Sequence, residues 1–356
     1  MTTVQQTVWD ERATVAQHSL DHFFGAEGIQ LLHNSHPAGD DATFNYWWLA
    51  HLVDARLDAF ERTGEAEWLA KAEAVSRNIR ERNDGSLFND YFDDMLWYAL
   101  AILRLYDATG DAQHLADAQS IWDHVVEHGW NDTMGASVAW RKQQLYYKNT
   151  PANGPFIILS ARLAAHADDA RYLDHGLAAY RWLSDTLVQP DGFVEDGINR
   201  EEDGSLDLHW RFTYNQGLYV GAAVALAQAT GDRDYLDAAT KTALTALREL
   251  SQDGLFRQEG GAGGDEGLFK GVYYRYIGTL LQQLDPEDEA AATLDAFVRS
   301  STDALWASSQ TGEWLRAGDD WSAPAPEKID FSTQLSAVMA LELRALRERR
   351  AEQGWR

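Results

Sequence analysis

The sequence predicts an all-α fold, an (α/α)6 barrel built as a toroid of six helical hairpins. Three observations predict it. A turn signature recurs: Thr63-Gly64-Glu65-x-x-Trp68-Leu69, Thr109-Gly110-Asp111-x-x-His114-Leu115 and Thr230-Gly231-Asp232-x-x-Tyr235-Leu236, with a degenerate copy at Ala167-Asp168-Asp169-x-x-Tyr172-Leu173. The segments before these turns are apolar nearly all round, whereas those after them are amphipathic. The connections alternate between short and long.

Each element follows from these cues. In the repeated turn, Gly ends one helix by adopting the left-handed conformation, and the acidic residue opens the next by capping and by the helix dipole. The apolar segments are predicted as inner helices at about 44–62, 93–108, 150–166, 214–229, 269–284 and 331–349. Met95 to Leu103 is the clearest case, and Gly217 to Ala229 is another. The amphipathic segments are predicted as outer helices at about 5–24, 65–82, 112–128, 169–187, 233–250 and 286–303. In 112–128, for instance, Leu115, Ala118, Trp122 and Val125 fall at helical spacing with polar residues between them. No strong strand alternation competes, and no Pro/Ser-rich linker divides the chain, so residues 1–356 read as one (α/α)6 domain. An open solenoid of helix pairs is the structural alternative. All-round-apolar inner helices favour closure, because a solenoid needs a polar concave face.

The long connections are 25–43, 83–92, 129–149, 188–213, 251–268 and 304–330. All six precede inner helices, so in a barrel they emerge at one end. They contain Trp130, Trp140, Tyr146, Trp210, Trp314 and Trp321. Long loops gathered at one end of a rigid scaffold are where function usually sits.

Composition bounds the chemistry. The 356 residues include 45% hydrophobic and 24% charged residues, a normal globular balance with ample core. With 30 Lys+Arg against 56 Asp+Glu, the formal charge is −26. That charge argues against nucleic acid and against an anionic membrane as partner. Cys is absent, which excludes disulfides, thiolate metal sites and Cys nucleophiles. The eleven His residues form no His-Glu-x-x-His pair, no metal is expected, and no cofactor motif occurs. Gly260-Gly261-Ala262-Gly263-Gly264 lacks the Lys-Ser/Thr of a phosphate loop and reads as a flexible loop. No apolar run is long enough for a transmembrane helix. The first twenty residues have no signal-peptide pattern. As written the chain reads as cytoplasmic, and as secreted if a leader was removed. The 14 Trp, 14 Tyr and 13 Phe suit a carbohydrate cleft, where flat rings stack on sugar faces, but they suit helical cores equally.

Asp-Asp occurs at 40–41, 93–94, 168–169 and 319–320. Asp168-Asp169 lies in a short turn and reads as a helix cap. Asp40-Asp41 and Asp319-Asp320 lie in long loops, and a solvated or capping role is expected for both. Asp93-Asp94 opens the most apolar inner helix, within Phe88-Asn89-Asp90-Tyr91-Phe92-Asp93-Asp94-Met95-Leu96-Trp97. Neighbouring residues on a helix diverge by about 100°, so the two carboxylates flank a point. Aromatic surroundings raise one carboxyl pKa and helix N–H groups lower the other, the split that glycoside hydrolysis requires. An N-cap with a spare aspartate is the other reading of the pair. Polar and aromatic groups also mark other inner-helix starts: Asn45-Tyr46-Trp47-Trp48, Lys148-Asn149-x-x-x-Asn153, Tyr214-Asn215-Gln216 and Phe269-Lys270-Gly271. Singly each can be a cap or a core contact. Together they are amides, hydroxyls and rings suited to neutral sugar hydroxyls.

With these motifs the chain resembles glycoside hydrolase family 76, the endo-α-1,6-mannanases. The resemblance rests on Asp93-Asp94-Met95-Leu96-Trp97-Tyr98, Lys148-Asn149-Thr150-Pro151-Ala152-Asn153-Gly154, Thr213 to Gly217 and Phe269-Lys270-Gly271, and runs from about 44 to 340. It implies an (α/α)6 barrel and retaining hydrolysis of α-1,6-mannosidic bonds in mannan or manno-oligosaccharides without a metal. It further implies Asp93 as nucleophile and Asp94 as general acid/base. For retention the two carboxyl groups are expected about 5–5.5 Å apart. Asn45, Trp47, Tyr91, Trp97, Lys148, Asn149, Asn153, Tyr214, Asn215, Gln216, Lys270 and Trp321 are the expected substrate-binding residues, in a monomer. A mannan transglycosylase, an exo-acting α-mannosidase and a catalytically dead mannan-binding module are the competing functions. The intact Asp pair speaks against the last. A carbohydrate epimerase would want catalytic His at the inner-helix starts, where none stands.

Overall fold

The computed structural model describes residues 7–39, 41–259, 261 and 263–352. Asp40 and, in the glycine-rich loop, Gly260 and Ala262 lie outside the described residues. The helices in chain order are α1 (Val8–Phe24), α2 (Tyr46–Thr63), α3 (Ala66–Arg82), α4 (Phe92–Thr109), α5 (Ala112–Gly129), α6 (Thr150–Leu163), α7 (Ala170–Thr186), α8 (Thr213–Thr230), α9 (Asp234–Leu250), α10 (Glu266–Leu280), α11 (Glu289–Ser309) and α12 (Phe331–Glu352). The even-numbered helices occupy the segments anticipated from the sequence as inner helices, and α12 departs from the apolar pattern with Glu342, Arg344, Arg347 and Arg349. α4, α6 and α8 are buried over most of their length.

The repeated turn works as its sequence dictates. Gly64, Gly110 and Gly231 adopt φ of 72°, 71° and 76° and end α2, α4 and α8. The preceding Thr63, Thr109 and Thr230 each donate their hydroxyl to the carbonyl four residues back, at 2.7–2.8 Å. The same hydroxyls accept the backbone N–H two residues on. Asp111 and Asp169 cap α5 and α7. Asp169 thus has the capping role expected of it.

The chain forms two compact sets of residues: 1–78, 251–278 and 285–356 in one, and 79–250 with 279–284 in the other. In the first set, α12 packs on α1 and α2. Its buried ion pair, Arg62 Nε to Glu342 Oε2 at 2.7 Å, is joined by Gln17 Nε2 at 3.0 Å. Burial holds the Glu342 carboxyl above its ordinary value, with Arg62 opposing.

In the second set, α6 packs between α4 and α8, and α4, α6 and α8 pack on α5, α7 and α9 respectively. Here the structure departs from the strand-free expectation. An antiparallel four-stranded sheet, Trp130–Asn131, Ser137–Arg141, Gln144–Asn149 and Gly197–Ile198, fills the connections before α6 and α8. Ser137–Arg141 is buried at three successive residues and then half-buried. That pattern has no period of two, so alternation could not reveal the strand.

Candidate active site

Asp93 and Asp94 occupy the first turn of α4, where the helix N-terminus favours negative charge. The N-cap is Tyr91, with no side-chain capping bond, so neither aspartate is the cap. Both carboxylates are half-buried. Asp93 Oδ2 accepts the indole N–H of Trp140 at 3.0 Å, and Asp93 Oδ1 accepts the Asp94 backbone N–H at 3.0 Å. Asp94 Oδ2 accepts the Asn89 amide at 3.2 Å. Asn89 in turn takes the Tyr91 backbone N–H at 2.8 Å, which fixes the approach to the helix.

Trp140 comes from the 137–141 strand. Its ring meets Tyr91 and Tyr147 edge-on, with centroids at 5.5 and 5.8 Å. The Arg141 guanidinium lies 4.5 Å from the Trp140 ring centroid and donates to the Tyr91 hydroxyl at 3.2 Å. Trp97 stands one turn beyond Asp93 on α4 and is buried.

Beside this pair is a buried carboxyl that no motif announced. Asp196 accepts hydrogen bonds from Tyr214 Oη at 2.9 Å, Asn215 Nδ2 at 3.1 Å and Arg200 Nη2 at 3.1 Å. The Tyr147 hydroxyl lies 2.9 Å from Asp196 Oδ2 and 2.7 Å from Asp207 Oδ2. Burial raises the Asp196 pKa, and the four donors oppose the rise. Burial also raises the Tyr214 and Tyr147 hydroxyls, with the Asp196 charge adding to it. Asp93 contributes to the Tyr214 shift as well, so the start of α8 and the start of α4 share one electrostatic environment.

Trp140 thus links Asp93 and Tyr91 to Tyr147, which shares Asp196 with Tyr214 and Asn215. Several other expected residues are occupied internally. Lys148 is fully buried, and its ammonium donates to the carbonyls of Asn131, Gly135 and Ser137 at 2.8, 3.3 and 2.6 Å. Burial pushes this amine down to about 7, with Asp132 pulling the other way. Asn149 caps α6. Asn153 pairs with the Val138 backbone N–H and C=O, and Gln216 does the same for Val194.

Asn45, Trp47, Lys270 and Trp321 belong to the other residue set. Asn45 donates to Asn34 Oδ1, while Trp47 and Trp48 both donate to Asp265 Oδ1 at 2.9 Å. Lys270 forms a buried ion pair with Asp319 at 2.8 Å. This corrects the solvated or capping role expected for Asp319, whose carboxylate serves a lysine and the Glu259 N–H instead. Trp321 is buried against Tyr274, with centroids at 5.3 Å.

Sequence reasoning missed Asp196, Arg200 and Asp207, and it did not pair Trp140 with Asp93. The available signal was Trp140 in a long loop, without its direction. Among the described residues no group of three or more His, Asp or Glu is placed to hold a metal ion, and no helix is long and apolar enough to cross a membrane.

The Lin0763 protein of Listeria innocua is 46% identical with a TM-score of 0.92, covering 96% of this chain and 98% of that one. An inactive variant of the α-1,6-mannanase GH76A of Salegentibacter sp. HEL1_6, with asparagine at two consecutive aspartates and in complex with α-1,6-mannotriose, is 35% identical. Its TM-score is 0.89, over 95% of this chain and 99% of that one. The fold is the all-α (α/α)6 barrel of these neighbours. Mannan endo-1,6-alpha-mannosidase DCW1 of Saccharomyces cerevisiae is 25% identical over 213 residues, 55% of this chain and 47% of that protein. The chain therefore spans about half the length of the curated relatives it matches. The family model described as Glycosyl hydrolase family 76 matches residues 7–353, and the chain belongs to that family.

Proposed function

We propose that the protein is a retaining endo-α-1,6-mannosidase acting on mannan or manno-oligosaccharides. The observation that carries this reading is the Asp93-Asp94 pair in the first turn of α4, each carboxylate held by a different donor, Trp140 from a strand and Asn89 from the preceding connection. The consecutive aspartates replaced in the inactive, mannotriose-bound Salegentibacter mannanase support it.

Asp93 suits the nucleophile. Two N–H donors and the helix N-terminus stabilise its ionised form, so it can attack the anomeric carbon. Asp94 protonates the leaving glycosidic oxygen as the bond to carbon breaks, giving a mannosyl ester on Asp93. Asp94, now ionised, removes a proton from water, which attacks the same carbon and releases Asp93. Two inversions return the starting configuration. Tyr91 supplies hydroxyl and ring surface beside the pair, while Tyr214 and Asn215 hold Asp196 in place through their hydroxyl and amide. The −26 charge is compatible with a neutral glycan.

The test is the product-size profile over time from linear α-1,6-mannan. A broad early mixture of oligosaccharides is expected. Mannose alone from the start would make the enzyme exo-acting. Products longer than the substrate would make it a transglycosylase.

A further inference from the structure

The connection between α7 and α8 holds a second feature, on a side chain adjacent to the Asp196 cluster. Residues 194–196 are clamped in place. Val194 is held by Gln216, the Glu195 N–H donates to Leu187 O at 2.9 Å, and Thr150 Oγ1 donates to Glu195 O at 2.8 Å. Asp196 enters the tyrosine cluster described above. Glu195 instead lines a separate cleft of about 430 Å³ with Gln189, Pro190, Asp191, Phe193, Leu208 and Arg211.

The polar groups of this cleft are incompletely used. Glu195 is 2% exposed, yet its Oε2 has no hydrogen-bond partner. Its Oε1 lies 3.9 Å from Arg211 Nη1, too far for a hydrogen bond. The Arg211 guanidinium rests on the Phe193 ring, 3.7 Å from its centroid, and lies 3.6 Å from Glu249 Oε2. Leu208 is among the few large apolar side chains left exposed. Buried polar groups ordinarily have partners, so an open acceptor beside an under-used donor marks a place for a ligand.

The chemistry of the lining narrows the ligand. An anion would meet Glu195, Asp191 and Glu249. A cation would meet Arg211 beside the open oxygen. A neutral polyol satisfies both groups, because a hydroxyl donates to Glu195 while a neighbouring hydroxyl accepts from Arg211, and its C–H face can lie on Leu208 and Pro190. Burial raises the Glu195 carboxyl above its ordinary value, which lessens the cost of holding it there without a cation.

We propose that this cleft is a second glycan site, separate from the Asp93-Asp94 pair, that takes a neutral pyranose unit of the same substrate and anchors long chains. The identity of the glycan rests on the function proposed above. A site of this kind adds affinity for a polymer long enough to occupy both places and adds none for a trisaccharide.

The test uses the full chain with Arg211→Ala and Glu195→Gln. With linear α-1,6-mannan, each variant is expected to raise KM about 5–10-fold at unchanged kcat and unchanged melting temperature, while the kinetics on α-1,6-mannotriose stay at wild type. Calorimetry of the Asp93→Asn/Asp94→Asn chain with mannotriose should give two sites, and adding Arg211→Ala should leave one. An unchanged KM on mannan, or a single mannotriose site before Arg211 is altered, would overturn the proposal. So would equal losses on both substrates, since these would mean that Glu195 acts through Asp196. If the wild-type chain left mannan intact, the proposed activity would fall, and the calorimetric count would still decide the cleft.

Discussion

Trp140 donates its indole N–H to Asp93 Oδ2 at 3.0 Å, joining a strand of the α5–α6 connection to the first turn of α4. A hydrogen bond to a charged acceptor contributes about 1.5–3 kcal/mol. Trp140→Phe keeps the ring and deletes the donor. It should lower kcat about tenfold or more with little change in melting temperature. Because the lost bond favoured the carboxylate, the acidic limb of the pH–rate profile should move to higher pH. Wild-type kcat and an unmoved limb would show that the contact has no part in turnover.

Lys148 is expected to be structural. Its ammonium holds three backbone carbonyls of the 131–137 segment, and Lys148→Met leaves them without their donor. Each buried group left unsatisfied costs about 1–3 kcal/mol, so denaturant midpoints should fall clearly. KM on mannotriose, measured where the variant is folded, should stay near wild type. A raised KM with full stability would instead make Lys148 a substrate contact.

The Lys270–Asp319 pair yields a distinguishing double-mutant experiment. Both side chains are buried and 2.8 Å apart. Breaking one partner leaves an uncompensated buried charge, at about 3–5 kcal/mol. Lys270→Met and Asp319→Leu should each destabilise strongly, and the double replacement should destabilise less than either alone. Additive losses in urea unfolding would contradict this.

Asp196 sets a pH dependence. Burial raises its folded-state pKa, with Tyr147, Tyr214, Asn215 and Arg200 around it opposing the rise. The folded state therefore keeps a proton that the unfolded chain releases. The stabilisation is full below the unfolded value, near about 3.9, and is lost as pH rises through the raised folded value. Asp196→Asn removes this contribution. The stability difference between wild type and variant should shift in the variant's favour as pH rises from about 4 toward 6. A difference constant over that interval would rule out the shift.

Much of the helical frame was readable because it is local. Gly64, Gly110 and Gly231 end helices through a backbone conformation that Gly adopts freely, and the neighbouring Thr and Asp residues bond within a few positions of themselves. The direction of a side chain at a helix start is not local. Lys148 and Lys270 stand at inner-helix starts as expected, yet Lys148 points at the carbonyls of Asn131, Gly135 and Ser137, and Lys270 at the carbonyl and carboxylate of Asp319. Asp196 precedes a two-residue strand with no periodicity, and its partners come from residues 147 to 215. Asp93-Asp94 stood out as two carboxylates opening the most apolar helix, but the sequence left an N-cap open as their role; the structure closes that reading, since the cap is Tyr91.

The most direct measurement follows linear α-1,6-mannan by proton NMR with wild type, Asp93→Asn and Asp94→Asn. If Asp93 and Asp94 cleave α-1,6-mannosidic bonds by double displacement, the first reducing ends released by wild type carry the α configuration. Both variants should then fall below about a tenth of wild-type turnover, a loss of more than ~1.4 kcal/mol in transition-state stabilisation, while remaining folded. Reducing ends that appear first as the β anomer, or a folded variant that keeps more than about a tenth of the rate, would contradict the account.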